Sequence, residues 1–81
     1  MSTLKTIKAI IANRFDIPLD TIKNASTIHG DLNLDSVDTI SLISAIEFEF
    51  GIKINQENDL PSIDTVRDLA ELIDKLSKQP S

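Results

Sequence analysis

Asp31, Asn33 and Asp35 stand at alternate positions, Ser36 follows at once, and Asp38 closes the group. Alternating oxygen ligands of this kind open a calcium-binding EF-hand loop. The register argues against one. The sixth loop position, where the sharp turn needs Gly, is Ser36, and the twelfth, where a bidentate Glu completes the cage, is Leu42. No metal ligands are therefore assigned. Ser36 could act as a nucleophile only with a base beside it, and the chain has one histidine, His29, and no cysteine. That leaves little room for a Ser-His pair or a His-rich metal centre, and it excludes a thiolate nucleophile, a Cys-based metal site and a disulfide. Taken alone, Ser36 reads first as the cap of a helix and His29 as a loop residue without a role.

The charge around these residues is uneven. The net charge is −5 and the pI about 4.5. Every Lys and Arg lies at or before Lys23 or at or after Lys53, while Asp31, Asp35, Asp38, Glu47 and Glu49 lie between them. Nucleic acid is then a poor partner and a basic protein surface a good one. Two readings stay open at this point, a solvated acidic helix face or a docking surface. The chain has 81 residues, enough for one small domain with a modest stability margin. No apolar run approaches the ~20 residues of a membrane span, and Met1-Ser2-Thr3-Leu4-Lys5 lacks the apolar stretch of a secretory signal. These features predict a cytoplasmic domain with no membrane contact that is not an enzyme.

The elements that position residues 31–38 follow from spacing. Leu4, Ile7, Ile10, Ile11 and Phe15 recur at helical steps and predict a first helix over 3–15, capped by Ser2 or Thr3 and broken ahead of Pro18. Residues 16–35 form a long connection whose apolar residues Ile17, Leu19, Ile22, Ile28 and Leu32 should pin it to the core. A second helix is predicted over 36–50, with Asp35, Ser36 and Asp38 at its positive end and Gly51 as a left-handed stop. Its inner face is Thr39, Leu42, Ile43, Ile46 and Phe50. Ile52-Lys53-Ile54 reads as extended, and Gln56–Asp59 as at most one helical turn before Pro61. Thr65 and Asp68 form a capping box for a last helix over 66–76, whose inner stripe is Val66, Leu69, Ala70, Ile73 and Leu76, with a frayed tail over 77–81. The fold class is all-α, a single domain over 1–81 with three main helices plus a short turn.

Asp31-Leu32-Asn33-Leu34-Asp35-Ser36-Val37-Asp38 resembles the prosthetic-group attachment sequence of the acyl carrier proteins, typically Asp-Leu-Gly-x-Asp-Ser-Leu-Asp. Ser41–Ile54 is similar to that family's acidic second helix and the link after it, and Ile63–Leu69 to the start of its last helix. Phe15-Asp16-Ile17 and Asn24-Ala25-Ser26 match the end of the first helix and the early loop. The resemblance implies that Ser36 carries 4′-phosphopantetheine, taken from coenzyme A by a separate holo-ACP synthase or phosphopantetheinyl transferase. It also implies that Asp35 supports attachment and Mg²⁺ in the transfer complex. Asp35, Val37, Asp38, Ile40, Ser44, Glu47 and Phe48 would then dock acyl-synthesis and acyl-transfer enzymes through their basic patches. Leu42, Ile46, Phe50, Ile54, Leu60, Ile63 and Leu69 would wall the acyl pocket of a monomeric carrier serving fatty acid, lipid or polyketide synthesis.

Five positions depart from the family pattern. Asn33 replaces the usual Gly, and Asn is the next-best residue for a left-handed turn. Ser41 and Phe48 occupy positions that are commonly Glu, and Ser44 one that is commonly Met; Lys53 also replaces a common acid. A specialised carrier is therefore a live reading. A peptidyl or aminoacyl carrier and a non-carrier acidic adaptor are the alternatives, and Leu34-Asp35 argues mildly against the first.

Overall fold

The computed structural model describes residues 3–55 and 58–78. Helix α1 spans Thr3–Phe15, α2 spans Ser36–Phe50 and α3 spans Val66–Lys78; single 3₁₀ turns lie at Leu19–Thr21 and Leu60–Ser62. No strand occurs among the described residues. The helical stripes meet as their spacing requires: Ile7 and Ile11 of α1, Leu42, Ile43 and Ile46 of α2, and Val66, Leu69, Ala70 and Ile73 of α3 are all buried. Leu4, Ile10, Phe15, Phe50 and Leu76 pack against this core half-buried.

The long connection is held by both packing and hydrogen bonds. Ile22, Ile28, Leu32 and Leu34 are buried, whereas Ile17 is half-buried and Leu19 is 54% exposed. Leu19 thus does not pin the loop as expected; it lies on the outer side of the 3₁₀ turn. Residues 24–28 run along the start of α3. The Ile28 N–H donates to the Asp64 carbonyl at 2.9 Å, the Val66 N–H to Ser26 at 3.0 Å and the Arg67 N–H to Asn24 at 3.0 Å. Thr27 and Thr65 form an isolated antiparallel bridge there. The connection that delivers Ser36 is therefore stitched to α3 rather than free.

Each helix end has a visible cause. Asp16 adopts φ 56° and the Ile17 N–H returns to the Ala12 carbonyl at 3.2 Å, so the left-handed residue stopping α1 is an aspartate two positions ahead of Pro18. Gly51, with φ 65°, stops α2 as its position suggests, and Asn33 with φ 56° turns the loop before it. Of the turn expected over Gln56–Asp59, Gln56 and Glu57 lie outside the described residues; the Asp59 N–H donates to the Asn55 carbonyl at 2.7 Å, and a 3₁₀ turn follows at Leu60–Ser62. Pro61 sits in its first positions, where no N–H donor is needed. α3 runs to Lys78 rather than 76, because Pro80 disfavours the α region only at residue 79. Ser2, proposed as a cap, and residues 79–81 lie outside the described residues.

The capping box of α3 is formed. The Asp68 N–H donates to Thr65 Oγ1 at 3.1 Å, and the Thr65 and Asp64 N–H groups donate to Asp68 Oδ2 at 3.1 and 3.0 Å. Those backbone donors, Thr65 first, hold the Asp68 carboxyl below its ordinary value of 3.8. A depressed carboxylate stabilises the fold above its unfolded pKa, and that contribution disappears as pH falls through the folded value. The melting temperature of the wild type should accordingly fall more steeply below pH 4 than that of Asp68→Asn, as calorimetry across pH 2–6 would show. Parallel acid limbs would remove this cap from the acid response.

Candidate functional site

Residues 27–38 build a compact rim at the start of α2. Asp31 is consumed locally: its Oδ2 accepts the Thr27 N–H at 2.9 Å, and its own N–H donates to Thr27 Oγ1 at 2.8 Å. The Leu32 N–H returns to the Thr27 carbonyl at 3.0 Å and the Leu34 N–H to Ile28 at 3.1 Å. With Asp31 in this turn and Asp35 capping a helix, the alternating oxygens are occupied by backbone donors rather than gathered around an ion. Asp35, not Ser36, is the cap. Its Oδ1 accepts the Asp38 N–H at 2.8 Å, and its N–H faces Asp38 Oδ2 at 3.4 Å. The two carboxylates beside Ser36 thus have a structural reason to be there: they satisfy the first turn of α2 and complement its dipole.

Ser36 is the first residue of α2 and is exposed, and its hydroxyl makes no hydrogen bond among the described residues. The N–H groups of Ser36 and Val37 open the helix ahead of the capped Asp38 N–H, a setting that favours a phosphate. Beside it opens a cavity of about 290 Å³ between α2 and the 60–63 segment. Leu42, Leu60 and Ile63 line it, as the sequence suggested, together with Ile28, His29, Thr39, Ile40 and Ile43. Ile46, Phe50, Ile54 and Leu69 do not line it. Ile46, Ile54 and Leu69 are buried in the core, and Phe50 packs against it half-buried.

Ile28, His29, Thr39, Ile40 and Ile43 were not among the pocket residues expected from the sequence. Thr39 and Ile43 belong to the inner stripe and are buried, and nothing in the spacing says that they also border a cavity. His29 reaches the cavity only because residues 27–34 fold back, with its Nδ1 2.7 Å from the Leu34 carbonyl oxygen.

The outer face of α2 is more apolar than its charge suggests. Val37 is 74% exposed, Ile40 47% and Phe48 89%. Asp35 and Ser44 are exposed, and Asp38 is half-buried. Glu47, expected on this surface, is also half-buried and ties down the next segment, its Oε2 accepting the Ile54 N–H at 2.7 Å. The acidic stretch is not wholly uncompensated either, since Arg14 reaches across from α1 and donates to Ser41 Oγ at 2.9 Å. A shallow groove between the two helices runs past Ile10, Arg14, Ser44 and Phe48.

The model of the phosphopantetheine attachment site family matches residues 5–73. The chain belongs to the acyl carrier protein family. It is 35% identical over 78 residues to the acyl carrier protein of Campylobacter jejuni subsp. doylei, covering 96% of this chain and all (100%) of that one. It is 34% identical over 73 residues to acyl carrier protein 3 of Ralstonia nicotianae, covering 90% of this chain and 83% of that one. The solved acyl carrier protein of Enterococcus faecalis superposes with a TM-score of 0.75 at 33% identity, over 94% of this chain and 99% of the other. As an acyl carrier protein, the chain is a carrier and not an enzyme, and its covalent cofactor is phosphopantetheine. The exposed, unengaged serine at a helix start fits such a group, since attachment there breaks no hydrogen bond of the fold. No helix among the described residues is long and apolar enough to cross a membrane.

Proposed function

We propose that Ser36 is the attachment point and that the cavity beside it receives the acyl chain, in a monomeric cytoplasmic carrier for fatty acid or lipid synthesis. The observation that carries this reading is the free Ser36 hydroxyl on the rim of the apolar cavity. When bound, the arm supplies the terminal thiol that this cysteine-free chain lacks, so that acyl groups travel as thioesters. The protein's own residues do the rest. The first turn of α2 presents N–H groups to the phosphate, and Asp35 and Asp38 hold that turn in place. Asp35 also offers carboxylate oxygen to Mg²⁺ when a pantetheinyl transferase is engaged. Leu42, Ile43, Leu60 and Ile63 exclude water from an apolar chain. The segment carrying Leu60 and Ile63 has few regular hydrogen bonds, so it opens most easily.

Incubation with coenzyme A, Mg²⁺ and a broad-specificity pantetheinyl transferase should add the mass of one phosphopantetheine to the peptide containing Ser36. No gain, or a gain on another residue, would overturn the assignment.

Asp35 and Asp38 attract basic partner enzymes and speed encounter, while Val37, Ile40, Ser44 and Phe48 form the contact that is desolvated. Phe48 lies about 18 Å along α2 from Ser36, at 1.5 Å per residue. An aromatic this exposed in place of a common acid supports a specialised partner with a pocket for it. Phe48→Glu should weaken that partner more than about tenfold in Kd, read by surface plasmon resonance, with the melting temperature unchanged. Equal affinities would leave Phe48 outside the interface.

A further inference from the structure

The cavity beside Ser36 is lined mainly by apolar side chains, and its few polar ones share one property. Among the described residues, the polar side chains that line it are those of His29, Ser36 and Thr39. His29 Nδ1 lies 2.7 Å from the Leu34 carbonyl oxygen. A carbonyl oxygen can only accept, so Nδ1 carries the ring proton, and in the neutral imidazole Nε2 keeps its lone pair. The Thr39 hydroxyl donates its proton to the Asp35 carbonyl at 2.9 Å, so its remaining capacity is also that of an acceptor. Ser36, once esterified, has no hydroxyl proton either.

The side chains of these three residues therefore accept hydrogen bonds and donate none. Their complement is a donor close to the thioester end of the cargo, with an apolar chain beyond it. A hydroxyl provides that. A ketone at the same carbon would set lone pairs against lone pairs, and a saturated chain would offer these acceptors no donor.

We propose that this carrier favours β-hydroxyacyl chains, with His29 Nε2 accepting the hydrogen bond of the cargo hydroxyl. The proposal rests on the reading that Ser36 bears the arm and the cavity holds the chain, and it adds the class of cargo. His29 is exposed on the same rim as Ser36, where the β-carbon of a chain entering the cavity would pass. The buried Leu42 and Ile43 line the same cavity.

The test loads the protein from octanoyl-, β-hydroxyoctanoyl- and β-oxooctanoyl-coenzyme A, with the holo form from coenzyme A as reference and loading verified by mass. The β-hydroxyoctanoyl form should melt about 4–8 °C above the octanoyl form, the effect of one added hydrogen bond in a domain of this size. The β-oxooctanoyl form should not exceed the octanoyl form. The ¹⁵N resonance of His29 Nε2 should move in the β-hydroxyoctanoyl form alone. His29→Phe should erase the difference between hydroxy and saturated cargo. Should that variant loosen the 27–34 turn, the wild-type nitrogen spectrum decides.

Equal melting of the octanoyl and β-hydroxyoctanoyl forms, or an unmoved Nε2, would overturn this proposal alone. A shift already complete in the holo form would give the acceptor to an amide N–H of the arm and overturn it equally. A protein that cannot be loaded, or whose octanoyl form melts like the holo form, would overturn the underlying reading and this proposal with it.

Discussion

Ser36→Ala is expected to abolish pantetheinylation completely while leaving the melting temperature within about a degree of wild type. The separation of the two effects comes from the cap. Asp35 supplies the side-chain oxygen that accepts the Asp38 N–H, and Ser36, one position inside the helix, bonds to nothing among the described residues. Alanine is a better helix former than serine, so α2 does not suffer. Asp35→Ala should behave in the opposite way. It should lose about 1 kcal/mol of stability, or about 4–8 °C, while remaining a substrate of the transferase at reduced rate. Intact mass and a thermal scan on both variants measure this. A strongly destabilised Ser36→Ala would make Ser36 part of the cap after all.

Ile46→Ala is expected to cost about 2–5 kcal/mol, enough to lower the melting temperature by more than about 10 °C. Ile46 is fully buried (0%) on the inner face of α2, away from the cavity, so its removal leaves a void that the helices cannot close. Leu60→Ala should cost far less, because Leu60 is half-buried and already borders open space. Its effect should fall on cargo, with less stabilisation by an octanoyl chain. Calorimetry of apo and octanoyl forms separates the two. Similar losses from both substitutions would contradict the division between core and cavity drawn here.

That division was only half legible in the sequence. Stripes such as Ile7–Ile11 and Leu69–Ile73 locate helix faces because burial repeats every three to four residues, and the caps at Gly51 and Thr65 locate helix ends. Asn33 was legible too, since few residues tolerate its φ of 56°. Ile46 and Leu42 carry the same pattern, yet only Leu42 borders the cavity. Which part of a stripe meets a facing segment depends on where that segment docks, and the 60–63 turn docks through contacts distant in sequence. His29 is hidden for the same reason: its place depends on the hydrogen bonds that lay 24–28 along 64–67. Glu47 has a second role that the sequence did not show. A carboxylate on an acidic helix reads as surface charge, and its bond to the Ile54 N–H exists only once the chain has turned at Gly51. Local rules reach the elements, and the site needs their assembly.

Octanoyl transfer onto the protein, followed by comparison of its amide spectrum with that of the holo form, tests attachment and cavity together. The largest shifts should fall at Ile28, His29, Thr39–Ile43 and Leu60–Ile63, with α1 nearly unchanged. Superimposable spectra across those residues would mean that the chain lies in solvent, and would contradict a carrier that shelters its cargo beside Ser36.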